Sequence, residues 1–213
     1  MYCVDNIFCN VVFSCNREEI EINVNNEEDP IDTLTSHILH RAVTDVDGNS
    51  YDAVLIGDQV WMAENLRTTR FPDGMDIPLG TTGSISPCRF VPGNGQSNEE
   101  NSGNEARFGY LYNWPAVMYG DSSSSANPSG VQGICPSGWH VPSSAEWSQL
   151  INYVSGQIQY QCDSNSINIA KSLSSSTEWE SSPNHCAVGN NLTSNNATGF
   201  RLFPLVALLL VRQ

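Results

Sequence analysis

The segment Gly133-Ile134-Cys135-Pro136-Ser137-Gly138-Trp139-His140-Val141-Pro142-Ser143-Ser144-Ala145-Glu146-Trp147-Ser148-Gln149-Leu150 decides how the rest of the chain reads. Ser143 is a natural N-cap, because its hydroxyl can accept a backbone N–H of the first helical turn. Glu146 stands three residues later, where its carboxylate can reach back to the cap and complete a capping box. Trp147, Leu150, Ile151 and Val154 follow at helical spacing, so the segment predicts a rigid loop feeding a core-facing helix. Pro142 and Cys135-Pro136 restrict the backbone on the way in. In that loop His140 reads as a hydrogen-bonding residue rather than a catalyst, and the helix start accounts for Glu146 more simply than paired-carboxylate chemistry does.

Working outward, Val43 to Ile56 predicts a β-hairpin, with Asp47-Gly48-Asn49 at the turn and alternating residues on either side. Asp45-x-Asp47-Gly48-Asn49 is not an EF-hand loop, because its Gly is fourth rather than sixth. Trp61, Met62 and Leu66 are large apolar anchors. Residues 81–107 are rich in Gly, Asn, Ser and Pro and predict an irregular excursion around Cys88, after which Phe108 to Trp114 is an aromatic, strand-like run. Glu64, like Glu146, reads as a helix-start residue rather than one of a pair of catalytic carboxylates. Trp61, Trp114, Trp139 and Trp147 are core candidates, whereas Trp179, in Ser176-Thr177-Glu178-Trp179-Glu180-Ser181, is the candidate for an exposed ligand contact.

Composition sets the class. The chain has 213 residues, with 23 acids against nine bases and a net charge of −14, so a phosphate backbone would be repelled and nucleic acid is excluded as a partner. Only 15% of residues are charged, against about 25% in ordinary soluble domains. Ser and Asn make up 48 of the 213 residues and carry the solubility, a balance expected of an exported bacterial protein. No apolar run reaches the roughly 18 residues of a membrane span. The expected organisation is a degenerate lipoprotein leader over 1–16, an acidic linker over 17–39, the domain over 40–200 and a divergent apolar tail over 201–213.

The seven cysteines contain no C-x-x-C pair. Ile7 to Cys15 reads as the end of a lipoprotein signal, with Cys15 as the lipidated residue; an ordinary first strand, or a start codon assigned too far downstream, are the alternatives. Cleavage before Cys15 would leave Cys88, Cys135, Cys162 and Cys186, an even set of disulfide candidates. Cys162, His185 and Cys186 could also be a nucleophile pair or metal ligands, but disulfide use is the expected one in an exported protein. His37 and His40 could share a helix face as metal ligands, yet no acidic or Cys partner stands at ligand spacing, so no metal and no cofactor is expected.

Five ordered blocks carry a family resemblance. Asp47-Gly48-Asn49-x-Tyr51, Ile56-Gly57-x-Gln59-x-Trp61-Met62-Ala63-Glu64-Asn65-Leu66, Gly109-Tyr110-Leu111-Tyr112-Asn113-Trp114, Cys135-Pro136-x-Gly138-Trp139-His140-Val141-Pro142-x-x-x-Glu146-Trp147 and Asn196-Ala197-Thr198-Gly199-Phe200 together resemble the Fibrobacter succinogenes major paralogous domain over about residues 43 to 200. The resemblance implies an exported bacterial protein, often a lipoprotein. Through the likeness of its central motif to the formylglycine-generating-enzyme and C-type-lectin superfold, it implies a loop-rich α+β fold with small antiparallel sheets and one or two helices. The calcium-holding tripeptides of sugar-binding C-type lectins are absent from the sequence.

The family pattern also implies closing strands and a late cysteine that would pair with Cys135. Instead Arg201 to Gln213 is abruptly apolar, which predicts a frameshifted or truncated gene, a C-terminally incomplete domain, or a buried terminal strand. The expected function is non-catalytic adhesion or ligand binding at the cell surface, mapped to loops 81–107 and 174–190. The partner would be a glycan or protein, with membrane contact only through a lipid anchor. The alternatives are an enzyme derived from the formylglycine-generating superfold, which would need a reactive Cys pair, and a nonfunctional paralogue.

Overall fold

A computed structural model of the chain describes residues 15–17, 38–81, 83–93 and 103–204. The signal-like residues before Cys15, most of the acidic linker, His37, the loop tip 94–102 and the tail from Leu205 lie outside the described residues.

The predicted hairpin is present. Strand β2 (Ile38–Thr44) pairs antiparallel with β3 (Ser50–Ile56), closing at Thr44 opposite Ser50 across the Asp45 to Asn49 turn. The Asp45 carboxylate holds this turn, accepting the amides of Asp47 and Asn49 (2.9 Å each), the Asn49 side-chain amide and the Tyr51 hydroxyl. Those oxygens are spent on the turn itself. A second hairpin carries β3 into β4 (Gln59–Met62) through Gly57-Asp58, with Gly57 at φ 62°. The first strand, β1 (Asn16–Arg17), lies on the other edge of β4, giving an antiparallel sheet of order β1-β4-β3-β2.

Every residue of β4 is buried, because this sheet is covered on both faces. Tyr51, Ala53, Val60 and Met62 face one core, with Leu66, Tyr112, Ile134 and Trp139. Val54, Ile56, Trp61 and Ala63 face the second core, under the long helix. The two-residue alternation of strand side chains is what sorts them.

That helix, α3 (Ser144–Gly156), was expected from its cap. Ser143 accepts the Glu146 amide at 3.2 Å and donates its own amide to the Glu146 carboxylate at 2.8 Å, completing the capping box. Three short helices accompany it: α1 (Asn104–Phe108), α2 (Trp114–Met118) and α4 (Ala170–Leu173). The expectation of one or two helices therefore counted only the long one. The aromatic run after Phe108 is only partly strand. Leu111–Tyr112 forms β6 against β5 (Arg89–Phe90), and then Asn113 caps α2, with Pro115 in its first turn. The result is α+β with two small antiparallel sheets.

Trp61, buried between the main sheet and the long helix, stacks at a tilt on Trp147 (centroids 4.7 Å) and meets the edge of Phe200 at 5.9 Å. Trp139 is buried and Trp114 packs against the first core. Leu202 forms a parallel bridge with Ser174, so the start of the apolar tail is received as a strand-like edge.

Three cysteine expectations need correction. Cys15 is fully buried and disulfide-bonded to Cys135, and the chain runs on from it into β1. A lipid thioether would need the same sulfur and a place at the surface, so Cys15 does not serve as the anchor in this fold. Cys135 likewise has its partner at the start of the chain and not in a closing strand. Cys88, a disulfide candidate by count, is a free buried thiol whose desolvation pushes its pKa up. Cys162 and Cys186 do pair.

Candidate functional site

An open cleft of about 680 Å³ lies beside the β2–β3 turn, lined by Asp47 and Asn49 of the turn and by Glu105 and Tyr110. Glu64, Arg67, Thr69 and Arg70 form its floor.

Each wall is held for a local reason. Asp47 accepts the Thr69 amide and hydroxyl and the Arg70 Nε at 2.5 Å. Burial pushes its carboxyl up, but those donors outweigh burial and hold it below the ordinary carboxylate value. Arg67 holds its guanidinium carbon over the Tyr51 ring, 4.5 Å from the centroid, and donates to Glu64 (3.0 Å) and to the Ser50 carbonyl (2.8 Å). Glu64, expected at a helix start, instead follows the end of β4 in a bend, and its pair with Arg67 is part of the floor.

The opposite wall depends on Gly109. At φ 72°, a Cβ there would stand 2.7 Å from the Leu66 carbonyl oxygen, so only glycine lets residues 108–112 close on 65–66. Tyr110 then donates its amide to Leu66, and Asn65 donates its side-chain amide to the Phe108 carbonyl at 2.7 Å. The guanidinium of Arg89 backs the Tyr110 ring at 5.0 Å.

Arg70 lines the cleft with a side chain 42% exposed and uses only Nε on Asp47, so its two Nη groups have no partner among the described residues. No partner among them takes the Tyr110 hydroxyl either. The cleft therefore offers a planar fork of donors, a phenol and the remaining carboxylate oxygen of Glu105, which uses Oε2 on the Gly103 amide.

The residues weighed in the sequence are distributed elsewhere. Glu146 is fully buried and is a structural hub: Oε1 takes Asn16 Nδ2 (2.9 Å) and stands 2.5 Å from His140 Nε2, while Oε2 takes the amides of Ser129 and Ser143. Burial raises its carboxyl, and these hydrogen bonds more than reverse that, leaving it below its ordinary value. His140 is committed to this hub, as expected. His40 lies in strand β2, not on a helix face, and its Nδ1 is 3.2 Å from Asp52. Trp179 is half-buried, donates Nε1 to Ser175 at 3.1 Å and does not line the cleft.

The two loops expected to bind do meet, where Arg107 pairs with Glu178. Cys162, Asp163, His185 and Cys186 converge on the outer side of the second loop. The cleft itself was missed, although the Asp47-Gly48-Asn49 turn and the Gly109-Tyr110 block that frame it both stood out.

The five motif blocks now have positions: the turn, β4 with its following segment, the Gly109 wall, the His140–Glu146 hub and the Phe200 edge of the second core. The sequence profile of the Fibrobacter succinogenes major domain matches residues 54–207, well over half of the chain.

The chain belongs to the Fibrobacter succinogenes major domain family.

The family match runs past Arg201, where a break in the reading frame was expected, and includes the Leu202 edge. No curated protein matches the chain, and no solved structure does. The matched residues include β4, the long helix, the hub apart from Asn16 and most of the cleft lining; β1, β2, most of β3, Asp47 and Asn49 precede the match.

Proposed function

We propose that this is a non-catalytic ligand-binding domain of an exported bacterial protein, and that the cleft between the β2–β3 turn and the Gly109 wall takes a neutral, hydroxyl-rich ligand such as a short oligosaccharide. The observation that carries the reading is the cleft's chemistry. Donors at Arg70 and Tyr110 and an acceptor at Glu105 line one cleft, in a volume within the range of small-ligand sites. Planar guanidinium and carboxylate groups pair well with vicinal hydroxyls, and an aromatic ring offers an apolar face to a sugar. The net charge of −14 disfavours acidic polysaccharides.

Export is supported by two disulfides, which persist in oxidising compartments. The C-type-lectin-like likeness belongs with this proposal: a doubly covered sheet with long irregular loops suits loop-borne recognition. A non-catalytic role is supported by the state of the reactive groups, since His140 and Glu146 are locked in a buried hub and four cysteines are paired.

The test is isothermal titration with a panel of neutral oligosaccharides. A saccharide should bind without turnover, and Arg70→Ala and Tyr110→Ala should each weaken it at least about tenfold. Binding indifferent to both substitutions, or steady conversion of the sugar, overturns the reading.

A further inference from the structure

Four potential metal ligands, none of them lining the cleft, converge from two loops. Nδ1 of His185 stands 2.9 Å from Asp163 Oδ2, 3.4 Å from Cys186 Sγ and 4.0 Å from Cys162 Sγ. Cys186 Sγ is 3.4 Å from the same Asp163 oxygen, and all four donor atoms lie within 4.8 Å of one another. In a tetrahedral zinc site with Zn–S near 2.3 Å and Zn–N or Zn–O near 2.0–2.1 Å, the donor-to-donor edges are roughly 3.3–3.8 Å. The four spacings, 2.9–4.0 Å, bracket those edges, while the two sulfurs are covalently joined and have to part before both can ligate; the donor set is two sulfurs, one imidazole and one carboxylate.

In the structure the two sulfurs are joined as the Cys162–Cys186 disulfide. We propose that this cluster is a redox-gated zinc site: closed while the disulfide is intact, and a four-ligand set of two thiolates, one imidazole and one carboxylate for a single zinc ion once it is reduced. A dithiol reductant breaks the S–S bond and is itself oxidised to its disulfide, leaving two thiols on the protein. The zinc ion then displaces two protons as both sulfurs bind as thiolates.

The site requires loops that stay together without the disulfide, and both are anchored by other means. Lys171, the sole lysine of the chain, donates its ammonium to the carbonyls of Ala187, Asn190 and Asn191, clamping the loop that follows Cys186. Asn195 and Asn190 tie that loop further, to the Val188 and Ser182 carbonyls. On the other side the Cys162 amide donates to the Asn168 carbonyl at 2.8 Å, and the Asn165 amide to the Cys162 carbonyl. Asp163 and Cys186 have φ of 57° and 65°, which turns each pair of sequence neighbours toward a common point. Cys162 and Cys186 are partly exposed, whereas Cys15 and Cys135 are fully buried, so a reductant in native buffer reaches the outer bond first.

The experiment uses the intact chain, oxidised or reduced under native conditions and freed of reductant without air, and titrated with cobalt(II) and then zinc(II). The reduced protein should retain its near-UV circular dichroism. It should bind one cobalt ion with thiolate charge-transfer absorption and tetrahedral visible bands, and exchange it for zinc; the oxidised protein should show neither band. Asp163→Ala and His185→Ala should each weaken zinc binding to the reduced protein by at least about tenfold.

Equal binding by the oxidised protein overturns the gate. Loss of native dichroism on reduction overturns the preformed site, and affinity unchanged in both variants overturns the ligand set. The comparison of oxidised with reduced wild-type chain stands even where a variant fails to fold.

Discussion

Glu146 shows how one residue serves two levels of the fold. Its place three residues after Ser143 was legible as a capping box, and that hydrogen bond forms. The other three partners, Asn16, Ser129 and His140, come from segments that no local rule connects. Because its carboxyl is held below the ordinary 4.5, its contribution is fully present above that pH and is lost as pH falls through the lowered folded-state value. Glu146→Gln replaces one acceptor oxygen with a donor facing donors, and should lower stability by about 3 kcal/mol at pH 7 in urea unfolding. The difference between variant and wild type should shrink as pH drops below 4.5; a gap that stays constant well below that pH would contradict the assignment.

At the scale of elements, the edge strand β1 is only two residues long, yet it is held at four points: pairing with β4, reciprocal amide bonds between Asn16 and His140, the Asn16 side chain on Glu146, and the Cys15–Cys135 disulfide. The disulfide closes a loop of 120 residues, where the entropic effect on the unfolded chain is largest. Cys135→Ser should therefore cost about 2–5 kcal/mol, Cys15→Ser should cost the same, and the double variant no more than either alone. Additive losses in denaturant melts would mean that the two sulfurs act separately. The elements themselves were readable where a local signal dominates: a turn with Gly48 and a helix with a capping box. The aromatic run after Phe108 was not, since Asn113 and Pro115 start a helix that apolar patterning alone does not announce.

Over the whole molecule, the sheet is a divider between two cores, and Phe200 closes the second by wedging its ring against Trp61 and Trp147. Phe200→Ala should cost about 3–5 kcal/mol and shift tryptophan emission to the red, as water reaches both indoles. An unshifted spectrum with native stability would show that the tail packs elsewhere.

By itself the sequence determined the hairpin, the long helix and each family block, because each rests on residues near one another in the chain; the α+β class followed from the family likeness that those blocks carry together. Only the tertiary structure decided the partner of Cys135, the isolation of Cys88, the cleft and the four-ligand cluster. Those depend on which distant segments meet, and a disulfide partner or a ligand set has no signature in local periodicity: Cys15 becomes a staple instead of an anchor because the fold carries it to Cys135.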